Sequence, residues 1–544
     1  MTLTNANRQI ARAAGTVMFA ILFGQLMGLA RGVIVAGVFG ASLELDSFYA
    51  ANRVSETLFL LVAGGALGSA FIPTFTGLLA RDEKDSAWRL ASALANAVTL
   101  TLSLLAILLA LFAPQVVRFA LAPGFSTDPE LFALTISLLR IQLISAVLFG
   151  LGGLVIGILN AHQVFLIPAL TPALYQLGII FGALFLAPSM GIYGLAWGVA
   201  IGAVLYLAIQ LPPLVRLVTR QFPLSTLRLR SGHAFHFSLG LHDSNVRVVL
   251  LLMLPRLLGV AVVQLNFWVN TWLASKMEAG SVSALYYGFS LMLMAQAAIA
   301  QSVAIAAMPT FSAQHALGKR DEMRSSLAAS LRGILLLAVP ASIGLMMLRV
   351  PLVSFLYQRG EFDERDVQLV AWALLWYAAG LVGHSIMEVL TRAFYAQQDT
   401  KTPVVIGTFA MGLNVVCSIL FSRWFAQIGW HPLGGLALAN SFATALEATV
   451  LFLFMRKRLN GIEGKSIADG AWRVALSALG MGVGLLFWIQ ATVGMNRWLV
   501  ALGGVAVGGI IYLLAVLILK VPEARTLVRV IARRLLRRAA PSSQ

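Results

Sequence analysis

Apolar stretches, punctuated by glycine and separated by short polar or basic breaks, recur along nearly all of this 544-residue chain. A bilayer core is crossed by about 20 apolar residues in a helix. Stretches of that kind fall at 13–40, 47–79, 88–113, 131–159, 164–187 and 192–215. A polar, basic segment from Arg216 to Arg247 follows. More come at 248–275, 282–314, 326–349, 367–396, 402–424, 434–455, 469–490 and 497–519. The pattern therefore predicts an all-α polytopic membrane protein of about 14 transmembrane helices. Helices are required because an open sheet in hydrocarbon would leave backbone N–H and C=O groups unpaired. The first stretch exceeds the short core of a signal peptide, and no small-residue cleavage pattern follows it. It reads as a retained span.

Composition agrees. Hydrophobic residues make up 59% of the chain and charged residues only 11%, against roughly a quarter charged in soluble domains. The net charge of +17 would suggest nucleic acid in a soluble protein. Here the cations sit in short loops on one side, as the positive-inside rule describes. With Arg8 and Arg12 cytoplasmic, the loops Arg81–Arg89, Arg216–Arg247, Lys319–Arg324 and Arg456–Lys465 fall inside, as does the tail after Lys520. Loops near Asp128 and Glu361–Asp366 are acidic and fall outside. Both termini are thus expected on the cytoplasmic side of the membrane. The tail arginines (Arg525, Arg529, Arg533, Arg534, Arg537, Arg538) have helical spacing suited to an anionic leaflet. A nucleic-acid partner is not expected. The single cysteine, Cys417, excludes an internal disulfide and a cysteine metal cluster. No HExxH, Walker or GxGxxG element stands in a suitable context, so neither a metalloenzyme nor an ATPase is expected.

The two halves are related. Ala70-Phe71-Ile72-Pro73-Thr74-Phe75 resembles Ala306-Ala307-Met308-Pro309-Thr310-Phe311 at an offset of 236. Gly124 and Gly360 keep that offset, and Ala161-His162-Gln163 with Pro168 matches Ala396-Gln397-Gln398 with Pro403 at 235. Gly194-Leu195-Ala196 matches Gly435-Leu436-Ala437 at 241. Each repeat holds six spans, and an even number keeps the halves in one orientation. The predicted plan is an N-lobe over 1–230, a C-lobe over 231–460, two extra helices over 461–520 and a basic tail over 521–544. Two parallel bundles of this kind enclose a cavity and alternate its access by rocking.

Ionisable groups in mid-span cost about 2.5–3.5 kcal/mol on insertion scales and are functional candidates. Arg31 lies within the first span; Arg53 and Glu56 lie at i and i+3 in the second, whose outer start carries Asp46. An arginine fork suits a phosphate or diphosphate. The alternative is an internal Arg53–Glu56 pair with Arg31 reaching to an interface. Arg140 and Arg256 are placed nearer interfaces, and Glu388 with Arg392 reads as an i, i+4 structural pair. Asn270, Asn414, Ser418, Asn440, Thr444 and Glu447 offer oxygen ligands to a coupling cation, Na⁺ or H⁺. Interhelical hydrogen bonding is the alternative for them. Gly64-Gly65-Ala66-Leu67-Gly68 suits close packing or a bend; no Lys-Ser/Thr follows to make it a phosphate loop.

The run Leu390-Thr391-Arg392-Ala393-Phe394-Tyr395-Ala396-Gln397-Gln398-Asp399-Thr400-Lys401-Thr402-Pro403 resembles the FYSRQDxKTP junction of the MviN/MurJ flippases. Ala122-Pro123-Gly124-Phe125 is similar to their APGF element. His242-Asp243, Asn270-Thr271 and Gly280-Ser281-Val282-Ser283 with Tyr286-Tyr287 resemble their central region. The resemblance implies the multidrug/oligosaccharidyl-lipid/polysaccharide (MOP) exporter superfamily, MATE-like in fold. It implies a non-enzymatic transporter that moves lipid II, the undecaprenyl-diphosphate-linked peptidoglycan precursor, from inner to outer leaflet for cell-wall synthesis and cell shape. Arg31 would then contact the diphosphate, with Arg53 and Glu56 assisting. No cofactor is implied beyond a coupling ion. The chain departs from the family pattern where Gln25 replaces the first arginine of the first span and Gly32 the acid after Arg31. The arginines expected in the second and eighth spans are also absent, leaving Arg53 and Arg256 as substitutes from other helical faces. Two further readings follow from these departures: another lipid-linked glycan or amphiphile as cargo, or a non-transporting scaffold for envelope-synthesis proteins.

Overall fold

The computed structural model describes residues 3–62, 66–221, 240 and 243–523. All regular structure among the described residues is helical. The helices are α1 (Leu3–Phe39), α2 (Leu43–Val62), α3 (Ala66–Ala80), α4 (Lys84–Leu111), α5 (Pro129–Ala161), α6 (Leu166–Met190), α7 (Ile192–Ala208) and α8 (Leu211–Gln221). Then follow α9 (Ser244–Ala274), α10 (Ser281–Ala316), α11 (Arg320–Met347), α12 (Arg349–Tyr357), α13 (Glu364–Ala379) and α14 (Leu381–Ala396). The last four are α15 (Lys401–Gln427), α16 (Leu433–Arg458), α17 (Gly464–Ala491) and α18 (Arg497–Ile518).

Among the described residues, 11 helices are long and apolar enough to cross a membrane, or 12 if α13 and α14, bent by 46°, form one span. The fourteen expected from the sequence differ from this at two places. The stretch 47–79 is divided between α2 and α3, and α2 carries Glu44, Asp46, Arg53 and Glu56, too many charges for a span by composition. The stretch 248–275 is α9, whose 31 residues have the required length but several of whose side chains lie outside the described residues, so it is not among the 11. Large apolar side chains such as Leu104, Phe185, Phe409, Phe487 and Ile518 are exposed, as on a surface that meets lipid. The basic tail beyond Glu523, most of the segment 216–247, and Gly64 and Gly65 lie outside the described residues.

Local signals explain several helix starts. Asp128 accepts hydrogen bonds from the amides of Glu130 and Leu131, with Pro129 in the first turn of α5. Asp399 accepts from the amides of Lys401 and Thr402 and from the Thr402 hydroxyl, so the QDTKTP junction is a capping device for α15. Asp243 caps α9 through the Asn245 amide.

Contacts divide the chain into two compact units, Met1–Ser283 with Arg359–Phe362, and Ala284–Gln358 with Asp363–Gln544. The first boundary lies at 283, whereas the repeat suggests about 230, because α9 packs on α2 and α3. In the first unit α2 packs on α5, α5 on α7, and α6 on α1 and α7. A methyl at Gly178 of α6 would stand 2.2 Å from the Gly202 Cα of α7, so these two helices meet backbone to backbone. In the second unit α15, α13 and α14 pack on α16, and α11 packs on α17. Its core joins Leu327, Leu331 and Ile334 to Leu390, Phe394 and Leu451.

The repeat is written into the backbone. Asp82 and Gly318 share a positive φ (61° and 67°), as do Gln163 and Gln398 (60° and 61°). Phe75 and Phe311 are both fully buried beside a proline inside a helix.

Candidate functional site

In the first unit, helix α2 gathers two polar groups. Asp46, 2% exposed, directs both carboxylate oxygens at the start of α10. Oδ2 accepts from the Gly280 amide at 2.8 Å; Oδ1 accepts from the Ser283 amide at 2.7 Å and from its hydroxyl at 2.5 Å. A buried carboxylate is tolerable where charge-assisted hydrogen bonds of this kind surround it. Gly280 has φ +89°, and a Cβ there would stand 2.4 Å from the Ala41 carbonyl oxygen.

Two more glycines close the same end. A Cβ on Gly124 would lie 1.9 Å from the Ser275 carbonyl oxygen, and one on Gly360 would lie 2.0 Å from that of Gly37. The Glu361 amide donates to this Gly37 oxygen at 3.0 Å, and the Gly124 amide donates to Ser275 Oγ at 3.2 Å. The glycines are equivalent in the two repeats, and so, within two residues, are Ser275 and Gly37. Each repeat's glycine thus clasps the end of the other's first helix. Asp46 and Ser283 stand at equivalent places too. These contacts place Arg359–Phe362 in the first unit.

Two turns further along α2, Arg53 Nη1 pairs with Glu56 Oε2 at 3.0 Å, and its guanidinium lies 4.9 Å from the Phe267 ring centre on α9. Arg53 is 17% exposed and Glu56 40%. Arg53 Nε is buried with no hydrogen-bond partner, so the pair leaves part of the fork's donor capacity unspent. The next residue, Thr57, donates to the Arg53 carbonyl at 2.7 Å, accepts from the Trp268 indole N–H at 2.8 Å and lies 3.3 Å from Gln264 Oε1. Thr57, Gln264, Phe267 and Trp268 were not singled out in the sequence. Their signal was the i, i+4 polar pair Gln264/Trp268 inside an apolar stretch.

Arg31, half-buried, and Gln25, exposed, lie on α1, which packs on α6. Arg256 belongs to α9, but its side chain lies outside the described residues. Arg140 is exposed and donates to the Ala110 carbonyl at 3.1 Å. Glu388 and Arg392 pair at 3.1 Å, the structural role their spacing predicts.

The second unit contains a polar seam between α15 and α16. A Cβ on Gly407 would meet Glu447 Oε1 at 3.0 Å, which shows the facing sides. Asn414 and Ser418 share that side of α15 at helical spacing from Gly407; Asn440, Thr444 and Glu447 share one side of α16. All five are buried. The Ser418 hydroxyl donates to Asn414 Oδ1 at 3.1 Å, and Asn440 Oδ1 meets His384 Nε2 of α14 at 3.1 Å. Glu447 Oε2 has no hydrogen-bond partner among the described residues. Asn270 is not part of the seam: it lies in the first unit and donates to Asn266 Oδ1 at 3.4 Å. Among the described residues no group of three or more His, Cys, Asp or Glu could hold a metal.

The family model described as lipid II flippase MurJ matches residues 35–518. The chain belongs to the MurJ family. A lipid II flippase MurJ of Burkholderia cenocepacia is 34% identical over 450 residues, covering 82% of this chain and 84% of the relative. A probable lipid II flippase MurJ of Vibrio cholerae is 28% identical, covering 91% of each. The structure of a lipid II flippase MurJ in an inward closed conformation superposes with a TM-score of 0.75 at 25% identity, covering 94% of this chain and 99% of that one. An inward-facing MATE transporter of the MOP superfamily follows at 0.65 and 16% identity, a likeness of fold alone. This MurJ-family chain is thus a multi-pass membrane protein with the MOP fold, in a family of transporters.

Proposed function

We propose that the chain flips lipid II from the inner to the outer leaflet of the bacterial cytoplasmic membrane, with both termini in the cytoplasm. The family match from residue 35 to 518 carries this reading. The α2–α9 group supports it. A diphosphate arriving at Arg53 would find a fork with a buried Nε still unpaired and could displace the half-exposed Glu56. Arg31, on α1 against α6, would be a second cation for the diphosphate, reached from another helix. Charge-assisted bonds of this type contribute about 1.5–3 kcal/mol each.

Asp46 and the glycine clasps work at the other end of the first unit, the outer end in this orientation. Release to the outer leaflet requires the three Asp46 bonds to separate together. Because they are short, buried and mutually supporting, the closed arrangement opens as a unit and not by gradual loosening. For coupling, the α15–α16 seam supplies neutral oxygens and one carboxylate oxygen without a partner, a donor set suited to Na⁺ or H⁺.

The reading is tested by expressing the chain in a bacterium depleted of its own lipid II flippase. Wild type restores growth; Arg53→Gln and Arg31→Ala, present in the membrane at equal levels, lower plating efficiency by at least about tenfold, the cost of one lost charge-assisted bond. Failure of the wild type to rescue despite good membrane levels would count against lipid II as cargo.

A further inference from the structure

Three elements of the second unit meet around a cavity of about 520 Å³: Arg332 from α11, Lys465, Ser466, Asp469 and Arg473 from α17, and Glu523 just beyond α18. This volume is in the range of small-ligand sites. Arg332 is the centre of it. Its Nε donates to Glu523 Oε1 at 2.5 Å, and its Nη1 donates to Ser466 Oγ at 2.7 Å and lies 3.5 Å from Glu463 Oε2. Among the described residues no carboxylate lies within ion-pair distance of Lys465 or Arg473. Arg473 makes a 3.4 Å bond to the Leu519 carbonyl and otherwise keeps its donors. The cavity therefore sets three cations, Arg332, Lys465 and Arg473, beside two carboxylates, Asp469 and Glu523; among the described residues only Glu523 of these two is drawn into an ion pair, with Arg332.

The surroundings indicate depth in the bilayer. Trp472 is half exposed, and the Arg473 guanidinium lies 5.7 Å from its ring centre. Tryptophan in this setting marks the headgroup level. From Trp472 an exposed apolar stripe runs along α17 through Leu476, Leu479 and Val483, at i+4, i+7 and i+11. A polar cavity with three cations to two carboxylates, at the foot of an apolar stripe, matches an anionic headgroup with acyl chains attached.

We infer that this cavity is a binding site for the phosphate of an anionic membrane phospholipid, and that the Glu523 carboxylate competes with it for Arg332. The site stands apart from the Arg53 group and does not depend on the cargo. The phosphate diester would take the Arg332 fork, with Lys465 and Arg473 completing its charge; the acyl chains would lie along the α17 stripe. Free phosphate shares the headgroup chemistry but has no use for the stripe.

The test is native mass spectrometry of the full-length protein released from detergent with phosphatidylglycerol, phosphatidylcholine or inorganic phosphate. Phosphatidylglycerol is expected to bind at least several-fold better than phosphatidylcholine, and phosphate at equal concentration not to displace it. Lys465→Gln should weaken phosphatidylglycerol about fivefold, the effect of one cation near a charged surface. Glu523→Gln should strengthen it by a similar factor, a result that a merely structural Arg332–Glu523 pair would not produce. Equal binding to wild type and both variants overturns the proposal. So does weaker binding in Glu523→Gln, or displacement by phosphate alone.

Discussion

The α2 face of the first unit lines up polar groups over about three turns of helix and the α16 face of the second over about two, yet they dispose of them differently. On α2 the carboxylate of Asp46 is fully engaged, three donors on two oxygens, and glycine clasps without spare room surround it. On α16 the carboxylate of Glu447 is nearly as buried, but one oxygen has no partner. Asparagine, serine and threonine hold the rest of the seam together. A polar group in a membrane helix can thus be used to close a structure or be kept in reserve. Which it does depends on what the neighbouring backbone offers, not on the residue type.

Substitutions can break this contrast. The largest effect is expected from Gly360→Ala, which sets a methyl 2.0 Å from the Gly37 carbonyl oxygen at φ +58°. Steric displacement plus backbone strain should cost about 3–5 kcal/mol, seen as a steep fall in thermal stability of the purified protein and in transport. A change below about 1 kcal/mol would show that the clasp yields. Asp46→Ala comes next, at about 3 kcal/mol, because the Gly280 and Ser283 amides lose their acceptor in a buried place. Ser283→Ala removes only the hydroxyl and should cost about 1 kcal/mol; equal effects from the two would mean that the amides find other acceptors.

A third carboxylate, outside the spans, gives a control. Burial alone would raise the Asp399 carboxyl, but the Thr402 amide and hydroxyl and the Arg458 guanidinium outweigh burial and hold it below its ordinary range. Its stabilisation is therefore complete above the unfolded value near pH 4 and lost as pH falls through the lower folded value. Asp399→Asn keeps an oxygen for the cap but loses the charge facing Arg458 at 2.7 Å; it should cost about 1 kcal/mol at neutral pH, and its gap from wild type in thermal unfolding should close in strong acid. A gap that persisted there would assign the effect to the cap geometry alone. The smallest stability effect belongs to Glu447→Gln: a change within about 1 kcal/mol, since no ion pair is lost, with loss of the ion dependence of transport. An unchanged ion dependence would remove the seam from the coupling mechanism.

Much of this could be read along the chain. Apolar length located the helices, the near-constant offset of 236 paired the halves, and i, i+3 or i, i+4 spacing foretold the Arg53–Glu56 and Glu388–Arg392 pairs. These are local properties: an ion pair within one helix needs only helical pitch, and a span needs only hydrocarbon as solvent. Other features needed the folded chain. Spacing placed Asp46 only at the outer start of the second span, and its partners lie 234 and 237 residues away. The joining of Thr57 to Gln264 and Trp268, the grouping of α9 with the first unit, and the clasp of Gly360 on Gly37 are equally remote. Spacing along a helix says which side a residue occupies; it does not say which backbone will come within hydrogen-bond distance of that side. That is decided when the helices pack, because only then does each buried polar group find a partner or remain without one.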